Sequence, residues 1–122
     1  MLVMNKPMFA QELRRGSKAI SEAHIDHTWA LMTPRMKKEV LRLYRATDSA
    51  NFQAWESDFL KLVRTKPTLV IWGDKDPYIS PRFAESFNAQ KVVHLSQAGH
   101  WAPVEAPAEC AGAILQFFSA SA

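Results

Sequence analysis

With 122 residues, 48% of them apolar and 22% charged, the chain can form one modest core and is too apolar for a disordered segment. A formal net charge of +3, with acidic residues mixed among the basic ones, asks for neither nucleic acid nor an anionic membrane. The lone Cys110 excludes an internal disulfide, and no Cys/His spacing suggests a bound metal.

Residues 1–10 are too broken by Asn5, Lys6 and Pro7 for a signal peptide, and no run of about 20 apolar residues predicts a membrane span. A cytoplasmic location is the default expectation. Residues 1–64 show no strand-like alternation and no internal repeat. Phe9, Leu13, Ile20 and Ala23 recur at helical intervals, which predicts one helix over residues 9–23, weakened by Gly16. Arg14, Arg15 and Lys18 form a basic cluster that reads as a solvated helix face. Residues 24–32 form a second short helix or a loop. His24 and His27, with Asp26 between them, have a chelating spacing but no further ligand nearby, so a surface or cap-lining role is expected.

Thr33-Pro34 marks a helix start, with Thr33 as cap and Pro34 in the first turn. Met36, Val40, Leu43 and Tyr44 then draw an apolar stripe. Thr47-Asp48-Ser49 ends that helix or caps the next one, which Phe52, Trp55, Phe59, Leu60 and Val63 mark as amphipathic.

From residue 66 the pattern changes. Leu69 to Trp72 is a short apolar run bounded by turn residues, as expected of a strand buried on both faces of a parallel sheet. Gly73 and Pro77 stop it and leave Asp76 on the loop beyond its carboxyl end. Ser80-Pro81 opens a helical crossover over residues 81–90, with Phe83 and Phe87 on one side. Val92, Val93 and Leu95 make a second strand, after which Gly99 turns the chain so that His100 also lies past a strand end. A last helix begins at Pro107 and buries Cys110, Ile114 and Phe117 or Phe118, with Cys110 as a small core filler. The tail from Ser119 frays. Ligands of open α/β sheets bind outside the carboxyl ends of the strands, so one acid and one imidazole on adjacent strand ends form half of a plausible active site.

The run Pro67-Thr68-Leu69-Val70-Ile71-Trp72-Gly73-x-x-Asp76-Pro77, followed by Ala98-Gly99-His100-Trp101-x-Pro103-x-Glu105-x-Pro107, closely resembles the last third of an α/β-hydrolase. The resemblance spans roughly residues 66–118. It implies Asp76 as the acid after the penultimate strand and His100 as the catalytic histidine after the last. It also implies residues 1–64 as a helical segment ending the family's cap domain, and residues 65–122 as the C-terminal part of the hydrolase core. The family's nucleophile, a serine in Gly-x-Ser-x-Gly, has no counterpart in these 122 residues, nor do the earlier strands and oxyanion-hole loop. Ser96 lies in no nucleophile-elbow sequence.

Leu43-Tyr44-Arg45 is similar to the Tyr-Arg segment in the caps of epoxide hydrolases, which implies Tyr44 as a donor to an epoxide oxygen; as part of the apolar stripe, Tyr44 instead packs on the core. Trp72 and Trp101 line a substrate pocket or simply pack. Asp74 shapes the acid loop by bonding backbone amides, and Glu105 anchors the histidine loop or caps the last helix. The expected activity is hydrolysis of an ester, epoxide, carbon-carbon or carbon-halogen bond in a small apolar substrate, without cofactor or metal. The chain alone is expected to be inactive, and to need self-association or a complementing N-terminal half to cover its sheet edge. The rival expectations are a non-catalytic binding or interaction module and a truncated gene product.

Overall fold

The computed structural model describes residues 5–47, 49–52 and 55–120. Four helices precede the sheet: α1 (Lys6–Gly16), α2 (Glu22–Leu31), α3 (Pro34–Ala46) and α4 (Trp55–Thr65), with a 3-10 turn at Ser49–Phe52 before the last of them. Strands β1 (Leu69–Gly73) and β2 (Lys91–Leu95) are joined through a 3-10 helix, Pro81–Phe87. The short α5 (Ala102–Glu105) and α6 (Pro107–Ala120) close the chain. Of the Thr47-Asp48-Ser49 junction, Asp48 lies outside the described residues, as does the end of the tail beyond Ala120.

The single helix expected over residues 9–23 is two helices. Ser17 turns extended at the C-cap of α1, and Ser21 restarts the chain by accepting the His24 N–H on its hydroxyl. Thr33 caps α3 as expected, accepting the Met36 N–H at 3.2 Å, with Pro34 in the first turn.

The two strands pair in parallel, Leu69 opposite Lys91 and Trp72 opposite His94. Among the described residues the sheet has no third strand, so each strand keeps one open edge. Leu69 to Trp72 are consequently half-buried rather than enclosed on both faces. The crossover is a 3-10 helix in place of the expected longer helix, and Ser80 makes no side-chain cap there. Asn88 ends it in the left-handed region at φ 51°, which its short polar side chain tolerates.

Among the described residues, two small clusters anchor the core. Ala10, Ile20 and Ile25 meet between α1 and α2, with Phe9 and Leu13 against them. Ala98, Ala102 and Cys110 meet under the sheet, with Ile71, Leu95 and Ala106 against them. In α6 the buried positions are Cys110, Ala113 and Phe117, one helical face; Ile114 and Phe118, one residue round from that face, stay exposed. Burial also pushes the Cys110 thiol above its ordinary pKa, as befits a core filler.

Candidate active site

The acid loop begins where Gly73 ends β1. A Cβ on Gly73 would overlap the Gly99 carbonyl oxygen and come within 2.8 Å of that of Ala98, so only glycine lets the two loops touch. Lys75 N–H donates to the Ala98 carbonyl at 2.9 Å, which ties the loops together across the strand ends. Asp76 then turns inward. Its Oδ1 accepts the N–H groups of Tyr78 at 2.8 Å and Ile79 at 3.2 Å, an Asx-type turn set by the proline between them in sequence. Its other oxygen, Oδ2, lies 2.8 Å from His100 Nδ1.

The Asp76 side chain is 8% exposed and that of His100 31%. Burial pushes the Asp76 carboxyl up, but the hydrogen bonds from His100, Tyr78 and Ile79 outweigh it and hold the group below its ordinary 3.8. Asp76 is therefore a carboxylate at neutral pH. It fixes the His100 tautomer by accepting the Nδ1 proton, which leaves Nε2 as the basic nitrogen.

The histidine loop is held from two sides. Glu105 Oε1 accepts the N–H of Gly99 at 3.0 Å and that of Trp101 at 3.3 Å, bracketing His100. This is the anchoring role expected of Glu105. From the other side the Gly16 carbonyl accepts the His100 N–H at 2.8 Å. The ring of His100 stands edge-on to Tyr78 at 4.9 Å and to Trp101 at 5.0 Å. Tyr78 in turn reaches Glu12 of α1 with its hydroxyl, 3.3 Å from Oε2, beneath the Arg15 guanidinium.

The structure thus brings Asp76, His100 and Trp101 together. Tyr44 stands apart: it is 76% exposed on α3, and among the described residues no hydrogen bond or ring contact joins it to Asp76 or His100. Among the described residues the Asp74 carboxylate faces His94 at 2.6 Å and bonds none of the backbone amides that the sequence suggested. Asp26 pairs with Lys6 at 2.8 Å. Sequence reasoning missed α1 as a wall of the site, because Gly16 looks there like a mere helix weakness. It missed Tyr78 too, although a tyrosine two residues past the acid is a visible signal.

Curated relatives match part of the chain. It is 41% identical over 59 residues to haloalkane dehalogenase 2 of Mycobacterium bovis and of two strains of Mycobacterium tuberculosis, a match covering 44% of this chain and 21% of each relative. The chain thus spans about a fifth of the length of the curated relatives it matches. No family model matches it, and no solved structure gives a significant match. No helix among the described residues is long and apolar enough to cross a membrane. The partial likeness is to a protein of the α/β-hydrolase superfamily, with whose architecture the helix-rich chain and its two parallel strands are compatible.

Proposed function

We propose that these residues form the C-terminal part of an α/β-hydrolase, residues 1–64 ending its cap and 65–122 belonging to its core, acting on a small apolar organic substrate. The observation that carries this reading is the 2.8 Å contact of Asp76 Oδ2 with His100 Nδ1, made by loops beyond the carboxyl ends of neighbouring parallel strands. Asp76 orients the imidazole and stabilises the imidazolium. His100 Nε2 then removes a proton from a serine hydroxyl, or from water attacking an ester formed on a carboxylate nucleophile. In the second case the water oxygen bonds to the ester carbonyl carbon, the proton goes to Nε2, and the alcohol leaves as the carboxylate is restored. The likeness to haloalkane dehalogenase 2 favours a carbon-halogen bond over an ester, epoxide or carbon-carbon bond. Trp101, edge-on to His100, lines the substrate side. The nucleophile comes from residues other than these 122, in a cytoplasmic protein or assembly.

The test reads halide release from a short haloalkane and hydrolysis of a short-chain aryl ester. The chain is assayed alone and co-expressed with the N-terminal portion of a haloalkane dehalogenase, with and without His100→Ala. The expected result is silence alone, activity in the complemented pair, and silence again in the variant. Activity that survives His100→Ala would remove this histidine from the mechanism.

A second reading, a non-catalytic interaction module, is favoured by one observation: α3 presents Met36 and Leu43 at 45% and 64% exposure along a shallow apolar groove. A stably assembled pair without activity on either substrate would favour it.

A further inference from the structure

His94, near the end of β2, has its ring set between two carboxylates. Nδ1 lies 2.6 Å from Asp74 Oδ1, on the loop after β1, and Nε2 lies 3.1 Å from Glu85 Oε1, in the 3-10 crossover. A neutral imidazole carries one N–H and can donate to only one of them. Its second nitrogen would then set a lone pair against a carboxylate oxygen. Only the imidazolium donates to both.

We propose that His94 holds a proton in the folded protein and, as imidazolium, clasps the crossover and the acid loop to the end of β2, a hold released as pH rises. The clasp ties together three elements: the 3-10 crossover, the acid loop and the end of β2. Asp74 is two residues before Asp76, so the same loop carries the clasp on one side and the His100 partner on the other. The inference does not depend on the hydrolase reading.

The charged groups facing the ring are Asp74 and Glu85. Nearby cations are turned elsewhere: Lys75 to Gln97, Lys91 to Gln116, and Arg82 over the Phe83 ring. The hydrogen bonds to Asp74 and then Glu85 outweigh desolvation and keep the imidazolium to a pH above its ordinary 6.5. The folded value being the higher one, the clasp's stabilisation is complete below the unfolded value and disappears as pH rises through the folded value. The ring is 37% exposed, so added salt weakens the effect.

The test is a ring nitrogen NMR titration of the ¹⁵N-labelled chain, with His94 assigned by its loss in His94→Gln. The expected result is protonation of both ring nitrogens at pH 6.5, a midpoint above 6.5, and a lower midpoint in Glu85→Gln. The thermal midpoint of the wild type should fall as pH rises above 6.5, and that of Glu85→Gln should fall less. A His94 midpoint at or below 6.5, or one unmoved by Glu85→Gln, overturns the proposal. The Glu85 side chain is 68% exposed, so its variant tests the clasp even where His94→Gln does not fold.

Discussion

The carbonyl oxygen of Gly16, the last residue of α1, accepts the backbone N–H of His100 at 2.8 Å. A helix from the far end of the chain therefore ends on the residue that the acid loop also holds. The missing side chain makes this possible: a Cβ on Gly16 would stand 2.6 Å from Trp101 Nε1 and 3.4 Å from His100 Cβ. The helix break at residue 16 and the position of the histidine loop are one feature.

Gly73 and Gly112 should respond oppositely to alanine. At Gly73 the new methyl meets two backbone carbonyls that cannot swing aside, and Gly73→Ala should cost about 1–3 kcal/mol in urea unfolding. Gly112 lies inside α6 with open space where a Cβ would go. Gly112→Ala should stabilise the chain by about 0.5–1 kcal/mol through helix propensity alone. Equal effects at the two positions would mean that Gly73 is not packed against the Ala98 and Gly99 carbonyls.

Asp76 should dominate the acid limb of stability. Its folded pKa is depressed below 3.8, so its contribution is present above that value and is lost as pH falls through the lower, folded one. Acid titration followed by circular dichroism should show wild type losing stability below pH 3.8 more steeply than Asp76→Asn. At neutral pH the variant should be less stable by about 1–3 kcal/mol, since the 8% exposed carboxylate serves three donors.

Glu105 acts as an acceptor, and its charge is secondary. Glu105→Ala strands the N–H groups of Gly99 and Trp101 and should cost about 1–3 kcal/mol, with faster amide exchange at buried Gly99. Glu105→Gln keeps an oxygen in the same place and should recover most of the loss. Identical behaviour of the two variants would remove the anchoring role.

Local chemistry was legible where a residue acts on its immediate neighbours. Thr33-Pro34 caps α3, Gly73 ends β1, and the short apolar runs pair as parallel strands, each from signals within a few positions. The split between α1 and α2 was less legible, because apolar spacing continues across Gly16 while the backbone there is diverted by a distant partner. His94 was invisible for the same reason. In a strand it reads as one more alternating residue, and its two carboxylates arrive from a loop and a crossover.

The sequence by itself determined the order of elements after residue 66 and the placement of Asp76 and His100 past the ends of two strands, since strand length and turn residues act locally. Tertiary structure alone decided the rest: which nitrogen of His100 meets Asp76, that Gly16 and Glu105 hold the histidine loop from opposite sides, and that Tyr44 faces solvent. Those outcomes depend on hydrogen bonds and contacts between residues far apart in the chain, whose geometry exists only once both ends of the chain have folded against each other.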